Sequence, residues 1–209
     1  TGVMDTVGGF KITVNGGGFG ETGNIEWVAG DGTTVIIPAS YGGEKIEFIA
    51  PPGQGKVDVR VSIMGDTRRS APSTLDYQGP QIDTVDGLSA DTSGSALLTI
   101  RGRRFGLEKH AFNPLNPADQ VDSGFENQVL VGGSNCRITA YSHAEIQCTI
   151  PEGTGVNKTV ELRVARLCSS CTPLYAVAVA TEQFHYHGPS MTVLTPDHGP
   201  TVGNTLVEL

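Results

Sequence analysis

Little in this sequence is positively charged, apolar over a long run, or helical in its spacing. Lys and Arg number 14 against 22 Asp and Glu, for a formal net charge of −8. Neutralising a phosphate backbone takes clustered cations, and the basic residues here gather only as the pairs Arg68-Arg69 and Arg103-Arg104. That pattern excludes nucleic acid as an expected partner. No apolar run approaches the length of a membrane span and no leader-like segment occurs, so this stretch offers nothing to insert into a bilayer. A leader or anchor outside it stays open. No segment holds the 3.6-residue apolar period, so helix is expected to be scarce. Also missing are G-x-S-x-G, H-E-x-x-H and a phosphate-cradling glycine loop before a helix. No catalytic residue, cofactor site or metal site is therefore expected.

What the chain does hold is 28 glycines and 12 prolines among short alternating segments. In Ala96 to Gly106, Leu98 and Ile100 alternate with Thr99 and Arg101, and Gly102 and Phe105-Gly106 then close the run. Period-two alternation ending in glycine reads as a half-buried strand entering a turn, with Phe105 as a core plug. A second copy lies upstream in Phe10 to Gly20, and a third begins at Asn204. Phe19 precedes Phe105 by 86 residues, Ile46, Phe48, Pro51, Gly53 and Gly55 precede Ile146, Cys148, Pro151, Gly153 and Gly155 by 100, and Tyr77, Gly79 and Pro80 precede Tyr186, Gly188 and Pro189 by 109. Each rise in the offset falls between strands, where a structural repeat tolerates insertions. The bounds that follow are a first unit at 1–79, a second at 80–188 with inserted loops at 107–127 and 167–173, and the truncated start of a third at 189–209. Six or seven short strands per unit at turn spacings predict an all-β chain of tandem immunoglobulin-like sandwiches, one partial, one complete and one just begun.

Pro80-x-Ile82-x-x-Val85, followed by Gly94-x-x-Leu97-x-x-Ile100-x-Gly102-x-x-Phe105-Gly106, resembles the opening of an IPT/TIG domain. Val129 to Cys136, then Ile146-Gln-Cys148-Thr-Ile-Pro151-x-Gly153-x-Gly155 and Phe184-His-Tyr186, is similar to its extracellular, disulfide-bearing branch, found in plexins and fibrocystin-like proteins. The resemblance covers essentially the whole chain, although the first unit lacks both cysteines. It implies an E-set type immunoglobulin-like fold and a role as spacer, adhesion module or binding platform. An accessory domain of a secreted carbohydrate-active enzyme is a second class. A DNA-associated intracellular domain is a third, which the charge disfavours.

Four cysteines fall into two close pairs, Cys136/Cys148 and Cys168/Cys171, and an even count in a glycine-rich β-protein suggests disulfides in an oxidising compartment. At the offset of 100, Ile36 and Phe48 stand where the second unit has Cys136 and Cys148, so one cross-strand contact is expected to be filled in two ways. Cys168-Ser-Ser-Cys171 reads as a staple on an inserted loop. Zinc would want a second ligand pair, and a thioredoxin-like site would want a helix start. Asn157-Lys-Thr159 is an N-glycosylation sequon in an expected turn. His185 and His187 share one side of a strand and read as surface; Asp83, Asp86 and Asp197 near the junctions form no dense calcium-binding cluster. The expected function is a non-enzymatic extracellular or cell-surface structural or adhesion module within a longer surface or filament-forming protein, binding partners through the inserted loops. Its partners would be other proteins or further copies of itself, with glycans as a further class. Proline at Gly79-Pro80 and Gly188-Pro189 restricts each junction, so neighbouring units are expected to stack into a semi-rigid rod.

Overall fold

The computed structural model describes residues 4–63, 69–108, 126–166, 175–199, 201–203 and 206. Among these there is no α-helix, and fifteen strands build an all-β architecture with two hydrophobic cores.

The first core lies between two sheets. One joins β1 (Lys11–Asn15), β5 (Lys45–Ile49) and β4 (Ser40–Gly42) in the order β1-β5-β4. The other joins β3 (Thr34–Ile37), β2 (Gly23–Ala29), β6 (Lys56–Ile63) and β7 (Ser73–Asp76) in the order β3-β2-β6-β7. Inward alternation is clean: Val57, Val59 and Val61 face Ile25 and Trp27 of the paired strand, with Ile46 and Phe48 arriving from the opposite sheet. Trp27 packs edge-on against both Phe48 and Tyr77, with centroids 6.1 and 6.2 Å away.

The second core is enclosed by one continuous set of strands, β8 (Gln81–Asp86), β9 (Ser89–Ala90), β10 (Leu97–Arg103), β11 (Gln128–Val131), β12 (Ser134–Tyr141), β13 (Glu145–Thr149), β14 (Lys158–Ala165) and β15 (Tyr175–Tyr186). Their order is β8-β10-β13-β12-β11-β14-β15-β9. The continuity comes from β12, whose first half pairs with β11 and whose second half pairs with β13 across a bulge between Ile138 and Ala140. The partner changes between Cys136 and Arg137, where β12 passes from one layer of the sandwich to the other, and the bulge that bends the strand follows within the β13 pairing. The first unit divides the same path into β3 and β4 at Pro38-Ala39. Proline cannot donate to a ladder, so the strand stops there.

The repeat offsets reappear as matched hydrogen bonds. Gly53 N–H donates to the Thr6 carbonyl and Gly153 N–H to the Thr92 carbonyl, both at 3.0 Å; Tyr77 N–H donates to Gly55 and Tyr186 N–H to Gly155, both at 2.9 Å. Each tyrosine then closes its unit on the Pro-x-Gly loop. Tyr77 Oη donates to the Pro51 carbonyl and Tyr186 Oη to the Pro151 carbonyl, while a Cβ on Gly53 or Gly153 would lie within 2.8 Å of the tyrosine ring. Phe105 is fully buried, as the alternation predicts.

One expectation is corrected. Ile36 does not face Phe48: it stands opposite Glu26 on the outer face of its sheet and is 53% exposed. Its neighbour Ile37, opposite Ile25, turns inward and shares the core with Phe48. Strand faces alternate with a period of two, so the pairing of β3 with β2, one place off the 100-residue offset, is enough to turn Ile36 outward and Ile37 inward.

Candidate functional site

The chemistry that stands out is buried polarity, and it gathers where the two sandwiches meet. Five polar or charged side chains are buried among the described residues, and three of them, Thr6, Gln54 and Asn127, lie at this junction. Burying such groups is costly unless each is hydrogen-bonded.

The loop 51–55 between β5 and β6 delivers Gln54. Pro51 and Pro52 stiffen it, Gly53 lets the Tyr77 ring lie against it, and the Tyr77 hydroxyl anchors its carbonyl. So fixed, the loop points Gln54 out of the first sandwich and into the second, where it is 1% exposed. Gln54 Oε1 accepts from Leu107 N–H at 2.7 Å, and Nε2 donates to the Ala165 carbonyl at 2.9 Å and to Asn127 Oδ1 at 3.1 Å. Asn127, fully buried, is oriented independently: Oδ1 accepts from Ala165 N–H at 2.9 Å, and Nδ2 donates to the Leu107 carbonyl at 3.2 Å and to Tyr141 Oη at 2.8 Å. Tyr141 in turn donates to the Phe105 carbonyl. Every donor and acceptor of both amides is engaged, which fixes which end of each is oxygen. Gly106 makes the space, because a Cβ there would lie 2.3 Å from Gln54 Oε1.

Around this centre, Arg166 pairs with Asp76 across the junction, Arg104 Nε donates to the Gly79 carbonyl at 2.9 Å, and His143 Nδ1 lies 3.2 Å from Thr6 Oγ1. Arg104 holds a left-handed backbone, φ 60°, where the first unit has Gly18, φ 73°. Burial pushes the Tyr141 phenol well above its ordinary range, with the Asn127 amide drawing it weakly the other way, and burial alone pushes up Tyr77. A cleft beside the loop is lined by Trp27, Val35, Pro52, Gln54 and Leu107. These groups can hold two bodies at a fixed angle. No group of three His, Cys, Asp or Glu side chains that could hold a metal ion occurs among the described residues.

Cys136 and Cys148 form a disulfide, with Cα atoms 5.5 Å apart. It ties β12, just before it crosses between layers, to β13, and both cysteines lie in the second core. Asn157 is exposed in the turn before β14, with φ 59°. His187 Nδ1 lies 3.0 Å from Asp91 at the surface. Cys168 and Cys171 lie outside the described residues, as do loop 167–173 and all of loop 107–127 except Leu107, Glu108, Glu126 and Asn127. Sequence reasoning missed Gln54 and Asn127, which look like ordinary loop residues. The one available hint is that Gly20 and Gly106 both keep a glycine after the core phenylalanine, at φ 69° and 85°.

The IPT/TIG domain family model matches residues 80–186, just over half of the chain. Among solved structures the chain is similar to the plexin A4 full extracellular region, at 14% identity over 98% of this chain and 26% of that one, TM-score 0.38. It is similar to SGBP-B from a complex xyloglucan utilization locus in Bacteroides uniformis, at 14% identity over 88% of this chain and 47% of that one, TM-score 0.36. It is also similar to the Bacteroides ovatus mixed-linkage glucan utilization locus SGBP-B, solved in complex with a mixed-linkage heptasaccharide, at 12% identity over 90% and 44%, TM-score 0.30. The chain spans less than half the length of each of these three.

Proposed function

The chain belongs to the IPT/TIG domain family, and from that premise we propose that it is a non-enzymatic extracellular module, a semi-rigid run of Ig-like units serving a surface protein as spacer or adhesion segment. The observation that carries this reading is the junction. Two sandwiches, each with its own core, meet through a buried polar contact in which both amides are completely hydrogen-bonded. Such a contact fixes direction, the property a spacer needs.

The Cys136–Cys148 disulfide supports an oxidising compartment, since such bonds do not persist in a reducing one. On this reading the units run 1–79 and 80–188, with a third starting at 189. Cys168 and Cys171 form a second disulfide, and exposed Asn157 carries a glycan. Partners, whether other proteins, further copies within a filament or glycans, are met through loops 107–127 and 167–173. The excess of acidic residues argues against nucleic acid.

Intact and reduced mass with peptide mapping of the natively expressed protein tests the compartment. Two disulfides and a glycan on Asn157 are expected. Four free thiols with bare Asn157 overturn the extracellular assignment.

A further inference from the structure

We infer that the second sandwich carries a socket that reads a carboxamide, and that Gln54, by filling it, sets the angle between the two units. The inference deepens the spacer reading and rests on it for its mechanical meaning, but it concerns the angle itself. The socket presents one backbone donor, Leu107 N–H, and two acceptors, the Ala165 carbonyl and Asn127 Oδ1. A side chain that completes it must accept at one end and donate at the other, and it must be flat enough to lie against Gly106. Gln54 does both. A carboxylate of the same shape accepts only, which would set it against two buried acceptors. An apolar side chain would leave Leu107 N–H and the Ala165 carbonyl without this partner, while Asn127 Oδ1 would keep only Ala165 N–H.

The socket stands in the second unit independently of Gln54. The Asn127 amide is held by Ala165 N–H, the Leu107 carbonyl and Tyr141 Oη, all groups of its own sandwich. The matching position of the second unit, Thr154 between Gly153 and Gly155, is exposed. Burial of Gln54 comes from the socket it meets. Of the surrounding polar contacts, Arg166–Asp76 and Arg104–Gly79 are exposed and weaker on that account, and His143–Thr6 is a single part-buried one.

Residual dipolar couplings of the whole chain, fitted separately for residues 10–63 and 81–165, test this. The unaltered protein should give one alignment tensor shared by both sandwiches. Q54A and Q54E should each give two tensors of different magnitude, with amide shifts inside both cores unchanged, and T154A should keep one. Hydrogen exchange at Leu107 N–H should quicken roughly tenfold in Q54A, the ordinary worth of one such bond. A shared tensor in Q54A would assign the angle to the Gly79-Pro80 segment and the surface ion pair, and overturn the proposal. A shared tensor in Q54E would overturn the carboxamide requirement, and two tensors in the unaltered chain would overturn the latch outright. None of these outcomes depends on thiol state or glycan, so the extracellular reading stands or falls separately.

Discussion

Replacing both Cys136 and Cys148 by alanine should weaken the second sandwich alone, and the chain carries its own probe for the distinction. The bridged residues are 12 apart, and closing a loop of that length removes about 3 kcal/mol of denatured-state entropy by the chain-entropy model. Both cysteines are nearly inaccessible, at 2% and 0% exposure, so the lost sulfur contacts add to that figure. For a unit of this size about 3 kcal/mol corresponds to a fall in midpoint of roughly 12 °C. Trp27, the only tryptophan, lies in the first core against Phe48 and Tyr77. Its fluorescence therefore follows the first sandwich, while far-UV circular dichroism follows both. In C136A/C148A a circular-dichroism step should move to lower temperature or denaturant and leave the tryptophan transition within about 1 kcal/mol of its original place, the order of the junction bonds that remain to be lost. If the tryptophan transition moves as far as the other, the sandwiches unfold as one unit and the bookkeeping by separate cores is refuted. If nothing moves, the disulfide constrains a loop already ordered in the unfolded chain.

Other perturbations follow from the same fold. All five tyrosine phenols are pushed above their ordinary value by burial, Tyr77 and Tyr141 most strongly. A raised native value means that the fold holds protons the unfolded chain releases, so stability present below about pH 10 should be lost as pH rises through and beyond it. An alkaline titration should show tyrosinate absorbance rising together with loss of circular dichroism; five independent titrations on an intact fold would contradict this. Ser95 sits at φ 72° where the first unit has Gly9 at φ 79°. S95G should therefore raise the stability of the second sandwich by roughly 0.5–1 kcal/mol, the left-handed penalty less the entropy of glycine, and a fall would show that the hydroxyl matters more than the backbone. G153A drives a Cβ to 2.7 Å from the Tyr186 ring and should cost roughly 1–3 kcal/mol. Y186F should cost about 1 kcal/mol, and the two together less than their sum if the ring contact is the cause.

The register was the most legible part of the fold. Offsets read from Phe19/Phe105, Gly53/Gly153 and Tyr77/Tyr186 return as paired hydrogen bonds because the same backbone problem, a loop closed by a tyrosine, is solved twice. Alternation placed Leu98, Ile100 and Phe105 in the core for the same reason. What the offsets missed is how each strand is cut. Pro38 ends β3, whereas β12 runs on from β11 to β13, and the pairing of β3 with β2 stands one place off the offset, so Ile36 faces solvent while its neighbour fills the core. Gln54 and Asn127 escaped because nothing local distinguishes a glutamine that will be buried by a neighbouring unit from one left in water. Their partners lie 53 to 111 residues away for Gln54, and only the assembled junction brings them together.

Why the junction is polar at all follows from what apolar contact cannot do. Burying apolar area is non-directional, so a greasy contact between two sandwiches of similar plan would tolerate several angles and several pairings. A carboxamide between a fixed donor and two fixed acceptors tolerates one. The two units also differ where they meet: Arg104 and His143, which reach back to Gly79 and Thr6, occupy places that are Gly18 and Gly43 in the first unit, and Gln54 corresponds to Thr154 in the second. The contact therefore has a donor side and a receiving side. Repeats that share a fold are prone to pair with the wrong copy, and a buried polar requirement penalises a wrong neighbour through the groups it leaves unpaired. Thr154 in the place of Gln54 would leave Leu107 N–H and the Ala165 carbonyl without their cross-junction partner. The order of the two units is thus written into the same few atoms that set their angle.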